Sequence, residues 1–151
     1  MVELMIAALL IVAFFAAIFE VNAVCLRYVS AGKESLAAIA DVNDRLETLR
    51  NLSFPDLATS SVVSALLANP ANSSTFSSRV GEVVKISAYP TPNGVSQFTR
   101  TANGQVTVDS VATSLGSSLL RIDVSCSWSS VFGGRQRSEQ VTTIVSNGTK
   151  K

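Results

Sequence analysis

The chain has 151 residues, of which 47% are hydrophobic, and 12 basic side chains face 11 acidic ones for a net charge of +1. It contains no histidine, which excludes imidazole metal sites, histidine acid–base chemistry and with them most hydrolase mechanisms. Two cysteines without a Cys-X-X-Cys spacing and a sequence without a basic stripe argue against a zinc or dithiol motif and against a nucleic-acid partner, so a non-enzymatic role without metal or cofactor is expected.

Glu3 stands at the mouth of the unbroken apolar run Leu4–Phe19. As helix this run spans about 24 Å, short of the ~30 Å hydrocarbon core of a bilayer. Continuing through Glu20, Val21 and Asn22 to Leu26 supplies the length and sets Glu20 and Asn22 near one interface. A secretory signal peptide needs a basic n-region, but the first basic residue here is Arg27, so residues 1–26 read as a retained anchor. Taken alone, Arg27 places the C-terminal side in the cytoplasm by the positive-inside rule. An unpaired charge at mid-bilayer costs roughly 2.5–3.5 kcal/mol on lenient scales, so Glu3 is either a docking charge awaiting a partner or an interfacial residue favoured by the helix macrodipole.

The helical pattern continues beyond the anchor. No proline interrupts residues 24–49, and Leu36, Ile39, Val42, Leu46 and Leu49 recur every three or four positions. Lys33, Glu34, Asp41, Asp44, Arg45, Glu47 and Arg50 fall between them, which predicts a one-sided amphipathic helix with those charges in solvent. Pro55 ends it, so one helix runs from about residue 1 to 51.

Residues 54–79 read as a Ser/Asn-rich connection containing a short helix over Ser60–Asn69, stopped by Pro70. The period then becomes two. Val84, Ile86 and Ala88 alternate with polar residues, and residues 98–108 read as a hairpin around Asn103-Gly104, the favoured type I′ pair. Leu120, Ile122, Val124, Cys126 and Trp128 occupy every second position of the clearest strand. Residues 132–135 turn it back into a strand over Gln140–Val145, and Lys150 and Lys151 form a solvated tail. The expected class is α+β: a long helix, its C-terminal half packed on a three- to four-stranded antiparallel sheet within residues 80–146, the head covering 27–151.

Glu3-Leu4-Met5-Ile6 ahead of a long apolar helix resembles the N-terminus of type IV pilins and type II secretion pseudopilins, and the order helix, connection, antiparallel sheet is similar throughout. If Met1 takes the family's leucine position, a leader and two mature residues would precede it. The chain departs from the pattern at Val12 and Glu20, where glycine or proline is usual, and lacks the C-terminal cysteine pair. The resemblance implies a pilin-like fold and assembly without catalysis. A prepilin peptidase would cut and methylate the subunit, and a separate machine would lift it from the inner membrane into a helical homopolymer, extracellular for a pilus and periplasmic for a pseudopilus. On this reading Glu3 pairs with a neighbour's terminal amine, and Leu4, Met5, Ile6, Leu9, Leu10, Phe14, Phe15, Glu20 and Arg27 carry assembly. Glu20 and Arg27 are too far apart for an ordinary intrahelical pair but can meet between staggered subunits. The rivals are a minor pilin or pseudopilin of a type II secretion system and a single-span anchored β-domain that binds a ligand.

Cys126 sits among apolar strand residues, where a free thiol packs as a small hydrophobe; pairing with Cys25 is the alternative. The three Asn-X-Ser/Thr sequons, at Asn51, Asn72 and Asn147, arise readily by chance in a chain this rich in Ser, Thr and Asn.

Overall fold

The computed structural model describes residues 2–116, 118–130 and 134–148; Met1, the Phe132-Gly133 part of the expected turn and the Lys150-Lys151 tail lie outside them. Helix α1 runs unbroken over Val2–Asn51, about 75 Å of rod at the α-helical rise. It stops where Ser53 caps a new helix, α2 (Phe54–Ala58), whose first turn holds Pro55. Proline lacks the N–H that a first turn leaves unused, so the residue that ends α1 also starts α2. The Ser53 hydroxyl accepts from the Asp56 amide at 3.3 Å. Helix α3 covers Ser60–Leu67, as the spacing predicts, and buries Val63 and Leu67. A 3₁₀ turn, Ser77–Arg79, leads into the sheet.

All five alternating segments join one antiparallel sheet, so the strand count exceeds the expected three or four. These are β1 (Gly81–Ala88), β2 (Val95–Arg100), β3 (Val106–Ser110), β4 (Leu119–Ser129) and β5 (Gln136–Ser146), in the order β3-β2-β1-β4-β5. The register aligns apolar side chains across the inner face: Val84 opposes both Phe98 and Val124, and Ile86 opposes Ile122. Every second β4 residue from Leu120 to Trp128 is buried.

The β2–β3 turn differs from type I′. That turn needs positive φ at both central residues, whereas Gly104 has φ +81° and, among the described residues, no non-glycine residue has positive φ. The Gly104 amide donates to the Thr101 carbonyl and the Thr101 amide to the Gln105 carbonyl, both at 2.9 Å, so three residues close the hairpin and glycine takes the left-handed position.

The C-terminal half of α1 lies across β4 and β5, while α3 covers β2 and β3. Strand β4 runs against the helix direction. Its Trp128 indole donates to Glu34 at 3.3 Å, the Cys126 thiol lies 3.8 Å from the Ala38 carbonyl, and Leu119 reaches the groove that Asn51 lines. The head thus has an anchor-side end, near Trp128, and a far end, near Leu119.

Candidate assembly surface on the long helix

Helix α1 carries two kinds of surface. From Val2 to Val29 every residue is exposed, so the fold of this chain covers none of the apolar half. That half is long and apolar enough to cross a membrane. Leu4, Met5, Ile6, Leu9, Leu10, Phe14 and Phe15 all project from it, with the Phe14 and Phe15 rings edge-on at 6.1 Å. Glu3 occupies the first helical turn, where the exposed amide dipoles favour a carboxylate. Among the described residues the ion pairs are Arg45–Glu82, Arg50–Glu47 and Arg121–Asp123, so Glu3, Glu20 and Arg27 belong to none.

The head half is rotated from the expected orientation. Ala38, Val42, Leu46 and Leu49 are buried, but so are Glu34, Asp41 and Arg45, which the sequence places in solvent. Leu36, at 69% exposure, and Ile39, at 42%, face outward instead of filling the core. At 3.6 residues per turn, Phe14, Ile18, Val21, Cys25, Leu36 and Ile39 fall within about 60° of one another, on the side of the helix turned away from the sheet. One apolar seam therefore runs from the bare half onto the back of the head half. Gly32 lies on the same line, and a Cβ built there meets nothing within 4 Å. Its helix penalty of about 1 kcal/mol relative to Ala is not offset by any contact within the chain.

A buried polar clamp sets this rotation. Arg45 grips Glu82 through two bonds, Nε to Oε1 at 2.6 Å and a terminal nitrogen to Oε2 at 3.0 Å. Its remaining N–H groups donate to the carbonyls of Leu66 at 3.1 Å and Asn69 at 2.6 Å, tying helix, sheet and connection together. Arg100 donates to the Ser77 carbonyl at 3.2 Å. Asp41 sits beside these groups with Oδ1 unpartnered, as is Nε of Arg100. Burial pushes both the Asp41 and Glu82 carboxyls up, against the pull of Arg45 and Arg100. Rolling α1 to bury Leu36 would draw Arg45 away from Glu82 and leave two charges in an apolar core, a change costing several kcal/mol.

The cysteines do not pair. Cys25 lies on the bare half and Cys126 against Ala38, so an offset of thirteen residues along α1 separates them by about 20 Å, far beyond the ~7 Å Cα limit of a disulfide. Cys126 is a buried thiol whose pKa burial pushes up to about 11, which makes it inert packing rather than a nucleophile.

The spacing of α1 alone does not show the clamp, because charges between apolar positions read as solvent-facing by type. Glu34, Ala38, Asp41, Arg45 and Leu49 share one helical face, and Glu82 and Arg100 share strand parity with the buried Val84 and Phe98. Charges of both signs at core positions of separate elements were the available signal. No protein-family model matches the chain, and neither the curated proteins nor the solved structures contain a significant match.

Proposed function

We propose that this chain is a structural subunit of a type IV pilus-like filament, held in the inner membrane through Val2–Val29 and assembled through the same helix. The observation that carries the reading is the exposure of Leu36 and Ile39 in line with the bare apolar half. Lipid accounts for the bare half alone. Ile39 lies ten residues further along the rod, about 15 Å beyond Val29, where only a protein surface can cover it. The helix of a second, parallel copy has the matching shape and length.

In that assembly Glu3 enters a packed apolar environment and needs a cation, which a neighbour's terminal amine supplies; unpaired, its burial would cost several kcal/mol. Glu20 and Arg27 are available to each other between copies. Taking apolar side chains from lipid into a helix bundle gains less than the ~1.5–3 kcal/mol per Leu or Phe of transfer from water. Packing therefore supplies affinity, and the Glu3 pair supplies register. A minor pilin or a periplasmic pseudopilin would use the same surface. A single-span anchored binding domain is favoured instead by a groove of about 460 Å³ at the far end, lined by Leu52, Phe54, Leu119 and Asn147.

Two variants separate these readings, scored by membrane fractionation and by incorporation into sheared or purified filaments. Glu3→Ala is expected to stay in the membrane and lose incorporation. Leu36→Asp is expected to do the same with head stability within about 0.5 kcal/mol of the parent, because the side chain touches no core. Incorporation of both at parental levels would remove the filament reading and promote the anchored binding domain.

A further inference from the structure

The fold gathers basic residues that the sequence scatters. Arg79 ends the 3₁₀ turn, with its guanidinium 5.9 Å above the Phe76 ring. Phe76 meets Trp128 edge-on at 5.6 Å, and Trp128 stands opposite Arg137 across the β4–β5 ladder. The Ser130 amide donates to the Arg135 carbonyl at 3.0 Å, which places Arg135 at the same end. Trp128 is bonded to Glu34, so this end abuts the turn of α1 that carries Lys33, with Arg27 two turns toward the anchor. Arg27, Lys33, Arg79, Arg135 and Arg137 are all exposed. The acidic groups nearby are withdrawn: Glu34 is buried and Glu139 half-buried. The far end has no such bias, since Glu47 and Arg50 pair there at 2.9 Å.

Length places this collar. The bare rod Val2–Val29 is about 42 Å long, close to the ~40–45 Å of a bilayer with both headgroup layers, and burial by the head begins at Ser30. A rod spanning the bilayer therefore delivers the anchor-side end of the head to the headgroup surface.

We propose that this collar seats the head on anionic lipid headgroups, fixing its orientation on the membrane before assembly. Each arginine supplies a planar fork suited to a phosphodiester. The inference rests on the reading of Val2–Val29 as a membrane span and is independent of filament formation.

The test uses the full chain in nanodiscs of phosphatidylcholine, with or without phosphatidylglycerol, in a Cys25→Ser background. A fluorophore is placed either at Ala102→Cys, which borders the same hollow as Arg79 and Trp128, or at Asn93→Cys in the β1–β2 connection at the opposite end. Quenching by headgroup-linked nitroxide lipid is read for each. Phosphatidylglycerol is expected to raise quenching at residue 102 and leave residue 93 unchanged. About 1 M salt, where the Debye length is near 3 Å, should abolish the rise. Arg135→Gln and Arg137→Gln should each lower the ratio of seated to free heads roughly five-fold at low salt. Equal quenching at residue 102 in both lipids would overturn the proposal while leaving the span intact. Failure of the chain to enter discs would overturn the span and the proposal together. Protection of residue 102 only in discs holding two copies would assign the collar to a neighbouring subunit and overturn the lipid assignment.

Discussion

The two halves of α1 share one backbone and treat polarity in opposite ways. The bare half exposes apolar side chains on every side, whereas the head half buries Glu34, Asp41 and Arg45 and leaves Leu36 and Ile39 outside. A helix folding only for its own head would do the reverse, because burying a leucine contributes about 1.5–3 kcal/mol and burying a charge costs more unless it is paired. The difference teaches that the rotation of the helix is set by the clamp. That rotation leaves Leu36 and Ile39 exposed in line with the bare apolar half.

The strongest way to break this comparison is to remove the clamp. Arg45→Ala leaves Glu82 buried without its partner and also frees the Leu66 and Asn69 carbonyls, so the head is expected to lose about 3–5 kcal/mol. Chemical denaturation of the full chain in micelles measures this directly, because Trp128 is the only tryptophan and is buried in the folded head. The paired replacement Arg45→Met with Glu82→Leu should recover most of the loss, since no lone charge remains. A loss below about 1 kcal/mol for the single variant would mean that apolar packing, and not the clamp, sets the rotation.

Much of the architecture was legible in the sequence because its signals are local. The apolar run, the stop near Asn51 and the strict alternation from Leu120 to Trp128 each report on a single element, and each element forms where the pattern puts it. The rotation of α1 was not legible in the same way. It depends on Glu82 and Arg100 from strands far along the chain, and a one-element reading sends Arg45 to solvent. The basic collar is a second case, since Arg79, Arg135 and Arg137 come to the same end of the head as Lys33 only through the order of the strands. Hairpin geometry fell between the two: Asn103-Gly104 marked the turn correctly, but its type depended on the backbone angle at Asn103.

Acid titration sharpens the comparison more gently. Asp41 and Glu82 both have carboxyls raised above their ordinary values of 3.8 and 4.5, chiefly by burial. A raised carboxyl means that the folded head binds protons more tightly than the unfolded chain. The charge penalty is therefore full at neutral pH, and stability from these groups rises as pH falls through the folded value toward the unfolded one. Asp109 opposes this at lower pH: Thr99, Gln97 and Thr107 hold its carboxyl down, so its contribution is full above the unfolded value and is lost as pH falls from there through the folded one. Denaturation midpoints between about pH 7 and pH 5 should hold steady or climb, and Asp41→Asn should flatten the climb and raise the midpoint at neutral pH. A steady fall over that range would mean that the clamp depends on charge more than burial opposes it.

The smallest effect within the chain discriminates most sharply between its two surfaces. Gly32 sits in the middle of α1 with open space around it, so Gly32→Ala should leave the isolated subunit unchanged or more stable by at most about 1 kcal/mol through helix propensity. If a second helix crosses the seam at this point, the added methyl falls where backbones approach most closely, and small residues matter there because dispersion decays within an ångström of lost contact. The expected outcome is a subunit of unchanged or higher melting temperature whose incorporation into filaments is reduced, more so for Gly32→Leu. Gly32 lies just beyond the span, where the open space around it accommodates either side chain, so normal incorporation of Gly32→Leu would place the packed part of the seam elsewhere, at Leu36 and Ile39 or wholly within the bare half.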